Sequence, residues 1–117
     1  MLVDAHRQAA LDMEQTIATL GDPAVHPYIS RLLIEAYWGA SFHWIAVGCQ
    51  EKHGKHKENH TQLAKFLRDQ NEDTIAAIWD RLDERRRAGW YGHQTAPTDI
   101  AAAEQWWQDI KGWATTP

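Results

Sequence analysis

The sequence predicts an all-α protein, an up-and-down bundle of four to five helices built around one long buried helix. Three observations carry this reading. Residues 28–53 read YISRLLIEAYWGASFHWIAVGCQEKH, without proline and with large apolar groups on nearly every side. The flanking stretches repeat apolar residues at spacings of three and four, as a helix face does. Nowhere does the strict alternation of a half-buried strand appear.

In the central stretch one stripe runs Ile29, Leu32, Leu33, Ala36, Tyr37, Ala40, Trp44 and Val47. Ile34, Trp38, Phe42 and Ile45 fill the other sides, so this helix is expected at the centre of the core. It is not expected to span a membrane, because Arg31, Glu35 and His43 would each sit in hydrocarbon. A first helix over 2–20 turns Ala10, Met13, Ile17 and Leu20 inward; Gly21 and the stiff Asp22-Pro23 and His26-Pro27 pairs then link it to the second. Beyond Gly54 the run KHKEN reads as a polar, flexible connection. Asn59, with Gln62 three residues later, reads as a capping box opening a short helix over 60–69 that buries Leu63, Phe66 and Leu67. A fourth helix is expected over 74–88 on Ile75, Ile78, Trp79 and Leu82, followed by a loop marked by Gly89, Gly92 and Pro97. Thr98 or Asp99 then caps a last helix through Ile100, Ala103, Trp107 and Ile110, with Trp106 and Trp113 on a neighbouring face. One core should collect Leu33, Tyr37, Ala40, Trp44, Leu67, Ile78, Leu82 and Ile110.

At 117 residues the chain is read as one domain, 1–117, able to bury roughly two-thirds of its unfolded surface. Seven tryptophans in so short a chain point to an aromatic core or to an interface anchored by rings. A net charge of −4 argues against non-specific duplex binding, which needs a broadly basic surface. The lone Cys49 excludes an intrachain disulfide and suits a reducing compartment, where it reads as an inert core thiol. The opening MLVDAHRQ has neither a basic start nor an apolar run, so no signal peptide is expected and a cytoplasmic location is.

Three stretches carry groups capable of chemistry. In Arg85-Arg86-Arg87-Ala88-Gly89-Trp90-Tyr91-Gly92-His93, arginines offer forked donors suited to phosphate and the histidine can move a proton near neutrality. Against this, a helix dipole favours arginines at its C-terminus with no ligand at all. The second stretch places His53, His56 and His60 within eight residues, a spacing that suggests zinc. It crosses a helix break expected at Gly54, and the chain has no E-x-x-H pair of the di-iron bundles. A solvated histidine-bearing loop is therefore the reading taken, with no metal at these three residues and no cofactor. The third is Phe42-His43 on the central helix, where a histidine reads as a hydrogen-bonded core residue.

Taken in order, these stretches resemble the HEPN family of small helical proteins. Ala36-Tyr37-Trp38-Gly39-Ala40-Ser41-Phe42-His43 is similar, with a one-residue shift, to that family's A-Y-Y-A-x-F-H stretch on a long second helix. His60-Thr61-Gln62-Leu63-Ala64-Lys65-Phe66 looks like the short helix that follows it. Leu82-x-x-Arg85-x-x-Ala88-Gly89-Trp90 resembles the L-x-x-x-R-x-x-A-D-Y signature with a shorter leucine spacing. Glycine stands there for aspartate and tryptophan for tyrosine, and Tyr91 is next door.

The resemblance covers about residues 5–114 and implies a HEPN-like bundle, a homodimer, and one of two roles. Ribonuclease members carry arginine, four to six residues, then histidine; Arg86 to His93 and Arg87 to His93 both fit. That implies metal-independent RNA cleavage by Arg86, Arg87 and His93, with Arg85, Trp90 and Tyr91 contacting substrate. Other members cleave nothing and pair with a nucleotidyltransferase in a toxin–antitoxin system. Two further readings compete: a DinB-like metal-binding bundle using His56, His60 and a distant histidine such as His43 or His6, and a bundle that only binds a protein or ligand.

Overall fold

The long apolar stretch folds as a single helix, α2, Pro27–His53. At ~1.5 Å per residue it is about 40 Å long, close to the 43 Å long axis of the protein, so it runs from end to end. In the computed structural model the described residues are 2–20, 27–90 and 97–117. They form α1 (Val3–Thr19), α2, a 3-10 turn (His60–Gln62), α3 (Leu63–Asp69), α4 (Asp73–Trp90) and α5 (Pro97–Thr115), with no strand among them. Helices α1, α4 and α5 all pack on α2; α4 also meets α5 and carries α3. None of these helices is long and apolar enough to cross a membrane.

The eight residues expected in the core are all buried. Leu32 is the exception within the central stripe: it is 52% exposed, next to exposed Arg31, on the side that α1, α4 and α5 leave open. Two glycines let the neighbours close on α2. A Cβ at Gly39 would lie 2.7 Å from the Met13 sulfur of α1, and one at Gly48 would lie 2.3 Å from the Trp113 ring of α5. The helix gives up propensity at both positions and gains close packing.

Helix ends follow local chemistry. Gly54 takes a left-handed φ of +74°, and its N–H donates to the Gln50 carbonyl at 3.0 Å, which stops α2. The Asn59 side chain accepts from the Thr61 N–H at 2.8 Å, so it does cap. It opens a 3-10 turn before α3, where the capping box had predicted one α-helix over 60–69. Helix α4 runs past the expected stop at Ala88 and takes in Gly89, which is buried. Helix α5 starts at Pro97, whose missing N–H costs nothing in a first turn, ahead of the expected Thr98 or Asp99.

Core and flanking tryptophans satisfy their indole N–H groups on carboxylates. Trp44 and Trp107 both donate to Glu14 Oε2, at 2.9 and 3.2 Å, and Trp113 donates to Glu72 at 3.0 Å. Lys111 adds an ion pair to Glu14 at 2.8 Å, so this one acid of α1 ties α2 and α5 together.

Candidate functional site

Two side-chain clusters lie along α2, and Phe42 touches both. The first is organised by Trp38. The Arg86 guanidinium carbon sits 4.0 Å from the Trp38 ring centroid, and Arg86 Nε donates to Glu35 Oε1 at 2.8 Å. Trp38 Nε1 donates to Asp83 Oδ1 at 2.9 Å, joining α2 to α4 a second time. His60 meets the ring edge-on at 5.1 Å, Trp79 lies tilted at 5.4 Å, and Phe42 stacks at 6.2 Å. One indole therefore gathers residues from α2, the 3-10 turn and α4.

The three arginines at the end of α4 differ in what holds them. Arg86 is fixed by Glu35 and Trp38. Arg85 pairs with Asp99 of α5 at 3.1 Å. Arg87 makes a long contact to Asp83, 3.4 Å from Nε, and is 61% exposed, so its fork faces outward. The Trp90 side chain, Tyr91 and His93 lie outside the described residues.

The second cluster is one that no local motif announced. His6 of α1 is wholly buried, and its Nδ1 meets His43 Nδ1 of α2 at 2.9 Å, so one ring donates to the other. Its Nε2 reaches the Glu58 carboxylate, 3.2 Å from Oε2. His56 Nε2 reaches the same carboxylate, 2.8 Å from Oε1, while His56 Nδ1 lies 2.8 Å from Gln50 Oε1. The His6 and His56 rings meet edge-on at 4.9 Å. Burial holds both His6 and His43 below the ordinary imidazole range, so both favour the neutral, ligand-competent form near neutrality.

The three histidines His53, His56 and His60, close in sequence, are not brought together by the fold. His53 turns to Glu72, 3.0 Å away, and His60 turns to Trp38, while only His56 enters the cluster. The physical reason is the break at Gly54: α2 still orients His53, and the 3-10 turn aims His60 elsewhere. The connection is also more anchored than a free solvated loop, since Gln50 and Glu58 hold His56. His43 is hydrogen-bonded inside the bundle, as its setting predicted. Glu58 was missed altogether: nothing in KHKEN distinguishes it from a solvated acid, and its partner His6 is 52 residues away.

Cys49 is fully buried, and burial, with Glu72 nearby, pushes its thiol up to about 12, so it offers no nucleophile. A shallow groove between α4 and α5 holds Ile78, Arg81 and Trp106, but Asp73 and Asp109 line it as well, a poor match for phosphate. No family model, no curated protein and no solved structure matches this chain.

Proposed function

We propose that this chain is a HEPN-like, nucleic-acid-associated domain that cleaves RNA without metal, with Arg87 holding the phosphate and His93 moving the proton. The observation that carries the reading is the Trp38 cluster. Trp38, His60 and Arg86 come one from each of the three stretches that resemble the family, and they meet at a single ring.

In this reading the arginines divide the work. Arg86 is a positioning residue: clamped between Glu35 and Trp38, it fixes the last turn of α4. Arg87, exposed and loosely held, is free to swing to a phosphate oxygen. His93 follows six residues on, with Trp90 and Tyr91 between them to stack against bases. The 2′-hydroxyl attacks phosphorus as His93 takes its proton, and the 5′-oxygen leaves. The leaving oxygen needs a proton in turn, which a second His93 supplies across a twofold homodimer.

A second reading has its own support. Arg85 and Arg86 are both committed to acids of their own chain, as suits a structural helix end. In that reading the domain is the non-cleaving partner of a nucleotidyltransferase in a toxin–antitoxin pair. Incubation of a generic single-stranded RNA in chelator separates the two. Cleavage by wild type that His93→Ala abolishes supports the nuclease, whereas an inactive dimer that binds a nucleotidyltransferase supports the partner.

A further inference from the structure

We propose that His6 Nε2, His56 Nε2 and the Glu58 carboxylate form a binding site for a divalent first-row transition ion of the zinc type, with His43 and Gln50 orienting the two imidazoles. Their donor atoms all lie within 4.8 Å of one another, and they come from α1 and from the connection after α2. Through Glu58 Oε1 the separations are 3.3 Å to His6 and 2.8 Å to His56, the first at the edge length of a zinc tetrahedron and the second below it. With arms of ~2.0–2.1 Å that edge is about 3.3 Å.

Proton bookkeeping accommodates an ion as well as a plain hydrogen-bond network. Gln50 Oε1 accepts, so the His56 Nδ1 that faces it carries a proton. His56 Nε2 then faces a carboxylate oxygen 2.8 Å away. Two acceptors at that distance repel unless the ring takes a second proton or a cation lies between them. The same logic holds for His6: if its Nδ1–H donates to His43, its Nε2 faces Glu58 as a second lone pair. A divalent ion satisfies both nitrogens and the carboxylate together.

The surrounding residues already have the form of an outer shell. Metal-bound imidazoles characteristically engage their other nitrogen with a fixed partner, which sets tautomer and ring plane. His43 plays that part for His6 and Gln50 for His56. Two imidazoles and one carboxylate suit zinc, cobalt or nickel better than calcium or magnesium, which prefer oxygen. Glu58 is 51% exposed, so the site lies at the border of the bundle. The inference does not depend on the proposed ribonuclease, whose residues are different.

The test uses tag-free full-length protein stripped with chelator and titrated with zinc chloride, then with cobalt chloride as an absorbing probe. One ion per chain should bind, and cobalt should develop visible absorption of low-symmetry N/O coordination. Gln50→Ala should weaken binding by about 10–100-fold, as expected for an outer-shell partner. His56→Ala and Glu58→Gln alter partly or largely exposed side chains, so their metal-free forms should melt close to wild type while losing stoichiometric binding. Zinc should raise the melting temperature of wild type and not of His56→Ala, because the ion ties α1 to the 54–59 connection. His53→Ala should bind as wild type does. Failure of wild type to bind zinc or cobalt stoichiometrically would overturn the proposal. So would retention of binding by both His56→Ala and Glu58→Gln.

Discussion

Arg86 lies over Trp38, its guanidinium carbon 4.0 Å from the ring centroid, while its Nε is held by Glu35. The contact joins α4 to α2 at the point where the arginine run begins. It makes Arg86 part of the framework and leaves Arg87 as the outward-facing cation.

The Arg86–Trp38 contact should be measurable as a coupling energy. In a double-mutant cycle of Arg86→Gln and Trp38→Leu, the two changes should interact by about 0.5–2 kcal/mol, the range for a partly desolvated cation over an indole. Chemical melts of the four proteins give the number. Strict additivity would mean that the stacking contributes nothing, and would weaken the division of labour between Arg86 and Arg87.

Gly48→Ala has two opposed terms, and packing should decide its sign. Helix propensity alone favours alanine by about 1 kcal/mol. The new Cβ, however, would lie 2.3 Å from the Trp113 ring, and overpacking of this kind costs about 1–3 kcal/mol. A net loss of stability is expected in wild type, turning neutral or favourable in a Trp113→Ala background. A stabilising Gly48→Ala in wild type would show that α5 does not seat on α2 here.

Cys49 should be silent in the folded protein. With the side chain fully buried and its thiol raised to about 12, almost no thiolate exists at pH 8. A disulfide reagent at that pH should leave native protein unmodified for hours and titrate one thiol per chain at once in guanidinium. Rapid labelling under native conditions would contradict the packing around α2.

Much of this fold was legible from periodicity, and the exceptions are instructive. Leu33, Tyr37, Trp44, Leu82 and Ile110 go inward because each repeats at helical spacing on its own element. Leu32 shares the stripe of Leu33 yet stays out, since periodicity says where a face lies and not how wide its cover is. Gly89 reads as a breaker, but a helix supported from the side by Trp38 and Glu35 carries it. The candidate site divides in the same way. The arginine run could be read in a line, whereas the histidine cluster could not. His6 meets His43 and Glu58 across 37 and 52 residues, and only the packing of α1 on α2 brings them together. His6 and His43 could be named as distant candidates, but not paired with each other or with Glu58.

The homodimer is a separate expectation. Leu32 and Leu11 stand exposed, 52% and 43%, on α2 and α1, and the proposed cleavage requires a twofold contact that brings two α4 ends together. Light scattering should report twice the 13.4 kDa chain mass at micromolar concentration. A monomer there would remove the source of the second imidazole.

The most direct measurement of the proposed function is the chemistry of the RNA ends left by wild-type protein in excess chelator. Attack by the neighbouring 2′-hydroxyl predicts cyclic-phosphate and 5′-hydroxyl ends, lost with His93→Ala and reduced by orders of magnitude with Arg87→Ala. Products bearing 5′-phosphates, or equal cleavage by wild type and His93→Ala, would contradict the account.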